Sequence, residues 1–401
     1  MDVGNIAELN TFLVLDAIRS HGRTTRSQVA RELGLSDASI SRIVKRLLAS
    51  GAIAELPGEP AARGRTPSIL EFVGPAGTVI AVDLGGTQCH GALADLAGGT
   101  VAEDFRSAGD GENAARALLD CIAALKARAA ELDRPVRAIV VGIPALIDPA
   151  TGLATAGPNV HWQGFDLIGT LEASLDEPFE VDNDVNLGAL GQAWRGAGRG
   201  VNSFVLMSLG TGIGGAVVVD GHLIAGRHNA AGEISYFPIG RGGGSGPPGV
   251  RTGFEDVASG PALRARAAEL VRLGEPTALD PESFGVADIF QAAAAGDEVG
   301  RQVVKELVDD VAAAIAGTTA LIDPDRIILD GSIGRALRPW LERLRDLVTG
   351  QVFQPPEIVI SELGPNATVI GAIARALAVV SEQDLPPDFS RGALRNRPSP
   401  P

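Results

Sequence analysis

Two glycine turns and one acidic pair carry the chemistry that this sequence offers. The first turn is Asp83-Leu84-Gly85-Gly86-Thr87-Gln88. It follows the short β-branched run Thr78–Val82, which reads as a buried strand. Glycine can take positive φ, and without a side chain it lets backbone approach a ligand closely. Successive N–H groups in such a turn form an anion-binding concavity. A strand, Cys89–Asp95, follows the turn where a P-loop or a dinucleotide fingerprint would open a helix. A phosphate hairpin between two strands fits better. The second turn, Gly210-Thr211-Gly212-Ile213-Gly214-Gly215, lies between the apolar runs Ser203–Leu209 and Ala216–Val219, with Asp220-Gly221 closing a hairpin. The acidic pair sits between the turns, in Phe179-Glu-Val-Asp182-Asn183-Asp184. There a strand end meets a helix start, so Asp184 can cap the helix. Facing two phosphate turns, it can instead take a hydroxyl proton during phosphoryl transfer.

Strand, Gly/Thr turn, strand occurs twice, which is the duplication expected of two similar α/β halves closing on a nucleotide. Further elements can position these residues. Ala114–Leu132 reads as an amphipathic helix and Ala138–Val141 as a buried strand. The polar loop Gly157–Trp162 can bond and stack on a sugar. Arg326–Leu329 runs into a third glycine turn at Asp330-Gly331-Ser332, and Gly371–Val380 reads as a helix.

Ahead of this body the pattern changes. Ile6, Leu9, Leu13, Ala17 and Ile18 make one helical stripe. Thr25 to Gln28 reads as a capping box opening a helix that stops at Gly34. Ser36 can cap a further helix, Asp37–Ser50. Its apolar face is Ile40, Ile43, Val44 and Leu47, and its polar face holds Ser39, Ser41, Arg42, Lys45 and Arg46. Two helices joined by a short turn, the second with a basic outer face, make a helix-turn-helix. Strands Ala52–Leu56 and Ser68–Val73 form a wing whose tip carries Arg63 and Arg65. These residues are the expected DNA contacts. The first 73 residues hold nine Lys/Arg and eight Asp/Glu, so of the net −15 the rest of the chain carries about −16. The acidic body repels DNA, and only the N-terminal segment can bind it. The boundaries expected are 1–73 for the DNA-binding domain, 78–383 for the body and 384–401 for a disordered, Pro- and Arg-rich tail.

The 401 residues are 45% hydrophobic, enough for a large core. The N-terminus lacks a signal-peptide pattern, no apolar run reaches membrane-spanning length, and the two cysteines lack metal-like spacing. A cytoplasmic protein with reduced thiols is expected.

On these motifs, residues about 5–380 resemble the ROK family (repressor, open reading frame, kinase), in the subgroup with an N-terminal winged helix-turn-helix. The resemblance implies an α/β, actin/hexokinase-like body of two lobes. It implies nucleotide contacts at Asp83, Gly85, Gly86, Thr87, Thr211, Gly212 and Gly331, although Gln88 replaces the family's lysine. It implies sugar contacts at Asn159, Asn183, Asp184, Glu233, Tyr236 and Glu255, with Asp184 as catalytic base. Tyr236 stands where the family has a histidine that contacts sugar and zinc, and Ala145 replaces a usual glycine. No cysteine lies between Tyr236 and Glu255, where family kinases carry a zinc loop. A structural zinc needs about four N/S ligands, so no zinc is expected. The implied function is a sugar-responsive transcriptional regulator, a homodimer or homotetramer on an inverted-repeat operator. The alternative is a sugar kinase using ATP and magnesium, with an accessory DNA-binding domain.

Overall fold

A computed structural model describes residues 14–19, 21–49, 53–58, 68–72, 77–109, 112–147, 154–155, 166–239, 253–280 and 282–384. Asn159, Arg63, Arg65, the Gly242–Gly249 loop and the tail beyond Asp384 lie outside the described residues.

The N-terminal head packs residues 14–19, the helices Arg26–Leu33 and Asp37–Ala49, and a three-stranded sheet. The first of these helices starts where Thr25 Oγ1 accepts from the Gln28 N–H, and Gly34 ends it with φ 64°. Gln28 does not complete the expected box, because its carbonyl oxygen accepts from the Thr24 hydroxyl instead. Strands Ile53–Leu56 and Ile69–Phe72 pair antiparallel as the wing. Val14, Ile18, Val29, Ile40, Val44, Leu47 and Leu70 form the head's core.

The body has two five-stranded sheets. In the first lobe, Thr78–Leu84, Gln88–Asp95 and Thr100–Ser107 form an antiparallel meander. Val136–Ile143 and Phe179–Asn183 then add in parallel on the other side of Thr78–Leu84. In the second lobe Phe204–Leu209, Ile213–Val219 and His222–Leu223 form the meander, and Arg326–Asp330 and Glu357–Ile360 add in parallel. The strand order is the same in both. Each glycine turn therefore lies at the same place in its lobe, after the first strand of the meander. No helix among the described residues is long and apolar enough to cross a membrane.

The helix Asp184–Arg195 lies between the lobes. Leu187 joins the apolar cluster under the first sheet, with Val79, Ala81 and Val140. Ala189 joins the cluster of the second lobe, with Phe204, Leu206 and Val218. The last helix, Ala367–Asp384, crosses it at a glycine contact. A Cβ at Gly371 would lie 1.7 Å from the Leu187 carbonyl oxygen, and one at Gly191 would lie 2.3 Å from that of Ala367. Close-packed backbones cannot make room for a methyl group cheaply. Gly371→Ala should therefore cost about 1–3 kcal/mol. Gly86→Ala, where nothing lies within 4 Å, should stay within about 0.5 kcal/mol of the parent. Urea denaturation of the two variants checks this; equal stability would refute the tight crossing.

Candidate ligand cleft and DNA-binding face

Asp184 is the first residue of the interlobe helix. Asn183 caps that helix, its side-chain oxygen accepting from the N–H groups of Val185 and Asn186. The cap role weighed for Asp184 thus belongs to its neighbour, which leaves the Asp184 carboxylate in the cleft, where it accepts the Val185 N–H at 2.9 Å. Asp182 holds the Asn186 amide at 3.1 Å and its own next N–H, that of Asn183, at 2.7 Å. The Thr368 hydroxyl, from the last helix, donates to the Asp184 carbonyl at 3.2 Å.

Both glycine turns reach this helix start. Asp83, at the end of its strand, is close enough for its charge to act on Asp184. A Cβ at Gly214 would lie 2.6 Å from the Val185 side chain. Neither Gly85 nor Gly86 has positive φ. Gly86 instead has open space where a side chain would stand, which suits close approach by a ligand. Gly331 does need to be glycine: its φ is 78°, and a Cβ would lie 2.2 Å from the Leu209 carbonyl oxygen. Thr87 and Thr211 are exposed and Gly212 is half-buried. Thr211 lines a cavity of about 270 Å³ together with Gly210, Gly260, Arg264, Gly285 and Ser332. Ser259 occupies the cap position of the helix Gly260–Arg272 without a side-chain bond.

Glu233 lies near Asp184 and near Glu255, so the cleft holds four mutually repelling carboxyl groups. Burial pushes Asp184 up to about 7; the backbone N–H groups pull it down, and Glu233 and Asp182 push it further up. Burial also pushes Asp83 up to about 7, with Asp184 adding to it. Burial raises Glu233 as well; Ser235, bonded to it at 3.3 Å, opposes this and Glu255 reinforces it. Glu255 accepts the Ile213 N–H at 2.7 Å and so ties its segment to the second glycine turn.

Tyr236 is not gathered into this group. Ile234 and Ser235 fill the inner side of their short helical turn, and Tyr236 is left 73% exposed. Among the described residues no group of three or more His, Cys, Asp or Glu side chains is placed to hold a metal ion. Between Tyr236 and Glu255 the sequence holds neither cysteine nor histidine.

On the head, Arg42, Lys45 and Ser41 are exposed and Ser39 is half-buried. Arg46 departs from the expected outer face. It is half-buried, with Nε and Nη2 withdrawn from solvent. The structure brings Asp83, Asp184 and Glu233 near one another; the first two were read from their places at strand ends, and Glu233 was implied by the family resemblance alone. Asn186 was legible as the i+4 neighbour of Asp182. Thr368, Arg264 and Gly285 were missed, since they join the cleft from distant segments with no local pattern.

A duplicated α/β body with a cleft between its lobes, joined to a winged helix-turn-helix, defines a two-lobed ligand-binding protein carrying a DNA-binding head. The sequence pattern of the ROK family matches residues 79–379, and the chain belongs to that family. Residues 8–64 match the MarR family pattern. The xylose repressor of Caldicellulosiruptor bescii is 25% identical over 384 residues, 93% of this chain and 96% of the repressor. The glucokinase of Halalkalibacterium halodurans is 34% identical over 243 residues, 58% of this chain and 74% of the enzyme. The crystal structure of a ROK family transcriptional regulator, a homolog of the E. coli Mlc protein, superposes with a TM-score of 0.79 at 26% identity, over 95% of this chain and 99% of that one.

The raised carboxyl groups make stability depend on pH. Between about pH 4 and pH 7 the folded protein keeps protons on Asp184 and Asp83 that the unfolded chain has lost. Their contribution is full below the unfolded value of 3.8 and is lost as pH rises through about 7. Asp184→Asn should therefore gain stability relative to the parent from pH 5 to pH 8, by about 1–2 kcal/mol. Urea titrations across that range check it; a constant difference would contradict the burial of this charge.

Proposed function

We propose that the protein is a sugar-responsive, DNA-binding transcriptional regulator of the repressor type. Its cleft binds a sugar or sugar derivative, and its head reads an inverted-repeat operator as a homodimer or homotetramer in the cytoplasm. The observation that carries this reading is the pairing, on one chain, of an exposed basic helix face with a carboxylate-lined cleft. Carboxylates are acceptors, and a polyol offers several hydroxyl donors at once. Asn183, Asp184, Glu233 and Glu255 are the residues proposed to hold it, with Asn159 contributing from its loop. Tyr236 is left out of that set on account of its exposure. Regulation requires no cofactor in this reading, and no zinc.

DNA affinity is assigned to Arg42 and Lys45. On a duplex enriched from a random pool by the purified protein, Arg42→Ala/Lys45→Ala should weaken binding and reduce the salt slope by about 2, one per lost phosphate contact. Arg46→Ala should instead lower the stability of the head. Anisotropy titrations at several salt concentrations check both. Unchanged binding by the double variant would overturn the assignment of this helix. For the cleft, thermal shift with D-xylose, D-glucose, N-acetylglucosamine and their phosphates should find a stabilising ligand, by about 2.7 kcal/mol at a hundred times its Kd. The shift should fall in Glu233→Ala; no shift with any of them would overturn the sugar reading.

A second reading, an ATP-dependent sugar kinase, is favoured by one feature. A carboxyl group raised to about 7 is suited to general-base work at neutral pH. The cavity beside Thr211 and Gly260 would then take the nucleotide, the glycine turns its phosphates, and Asp184 the sugar hydroxyl proton. Phosphoryl transfer depends on positioning, and a misplacement of about 1 Å can cost about a hundredfold in rate. Without a metal-pinned loop beside Glu233, binding with little turnover is expected. Turnover at ordinary kinase rates that disappears in Asp184→Asn would put the kinase reading first.

A further inference from the structure

The far end of the interlobe helix touches the DNA-binding head. Trp194 and Arg195 are its last two residues. Trp194 is half-buried and packs, with Phe72 and Leu190, on the apolar cluster under the first sheet. Phe72 ends the second wing strand and also packs on the core of the head. The Arg19 guanidinium, from the head's first helical segment, lies 4.8 Å from the Phe72 ring centroid.

Charged groups lie beside this apolar contact. The Asp16 carboxylate of the head is close enough to Arg19, Arg195 and Arg199 to feel their charges. Asp16 lies on the head segment 14–19, between the buried residues Leu15 and Ala17. Arg195 stacks on Trp194, 3.7 Å from the ring centroid, and donates to the Gly98 carbonyl at 2.9 Å. Gly98 has φ 79°, and a Cβ there would lie 2.6 Å from the Trp194 ring. The tryptophan is therefore seated against a turn of the first lobe while it holds the head.

One helix of 12 residues thus has the cleft carboxylate at its start and the head contact at its end. That length is about 18 Å. Its middle is gripped by the last helix at Gly191 and Gly371, and both lobes pack on its sides. A helix packed this closely moves as a unit rather than bending at its centre.

We infer that the Asp184–Arg195 helix couples the cleft to the head, with the packing of Trp194 and Phe72 at its far end as the point where ligand occupancy is converted into head position. The inference rests on the sugar-responsive reading for its biological role. The ligand changes how the lobes sit on this helix at Asp184, and the head follows at Trp194. Ligand and operator then bias one two-state element, and each alters the affinity of the other by the same factor.

The test uses the full chain and two mild variants, Trp194→Phe, which keeps an aromatic ring but shortens its reach, and Phe72→Leu, which keeps an apolar side chain at the end of the wing. Sugar affinity is measured by calorimetry, and DNA affinity by anisotropy with and without saturating D-xylose, D-glucose or N-acetylglucosamine. A parent protein whose DNA affinity changes at least about fivefold with sugar, beside variants that bind sugar as the parent does but change less than twofold, is the expected result. Variants that respond like the parent would overturn the coupling and leave the regulator reading standing. If no sugar alters DNA binding by the parent, the regulator reading fails, and hydrogen exchange decides the coupling separately. Asp184→Asn should change amide exchange in residues 14–19, and adding Trp194→Phe should abolish that change. No change in those amides would overturn the coupling itself.

Discussion

Carboxyl groups held against one another around a helix start are the constraint on which the cleft depends. Asp83 comes from the first lobe, Asp184 from the interlobe helix, and Glu233 and Glu255 from the second lobe. Their repulsion, added to the loss of hydration, raises Asp83, Asp184 and Glu233 above ordinary carboxylate values. The helix N-terminus partly offsets this, since its free N–H groups favour negative charge. A ligand that donates hydroxyl protons to several of these oxygens removes the rest of the strain. A ligand that bonds carboxylates of both lobes would bind best in the arrangement that brings them together. This difference in affinity is what a ligand needs in order to shift a conformational equilibrium.

The strands and glycine turns were legible in the sequence because each is a local pattern. Short β-branched runs ended by Gly-Gly or Gly-Thr-Gly define both the meander and the point where backbone must approach a ligand. Asp83 and Asp184 follow from their positions at strand ends. What failed was depth and direction. The spacing of Arg46 places it on the polar side of its helix, but periodicity fixes an angle and not the path of a long side chain, whose Nε and Nη2 are here withdrawn from solvent. Tyr236 failed for a related reason. A three-residue turn has one inner side, and Ile234 with Ser235 takes it. The contacts of Thr368 with Asp184 and of Gln192 with Ser361 join segments more than 150 residues apart, and no local pattern marks them.

The duplicated architecture also explains why a DNA-binding head can be added without redesign of the cleft. Each lobe presents its glycine turn at the cleft and leaves its other end free. The first-lobe turn around Gly98 belongs to that far end, following the strand that leaves the phosphate turn. The Asp184–Arg195 helix starts in the cleft and ends beside this turn, so its last residues are available to a domain attached ahead of Thr78. The head uses Phe72, immediately before the linker, to pack there.

Regulation asks less of such a site than catalysis does. A rate collapses when the reacting hydroxyl is misplaced by a fraction of a bond length, because the transition state is bound only in one geometry. Binding is spread over several hydrogen bonds and survives the loss of one of them. A five- to 150-fold change in DNA affinity needs only about 1–3 kcal/mol of coupling. A net hydrogen bond contributes about 0.5–1.5 kcal/mol, and one to a charged group about 1.5–3. One or two sugar–carboxylate bonds made only in the closed arrangement therefore suffice, provided a stiff element carries the closure to the head. A site that keeps its carboxylates and its helix meets that requirement.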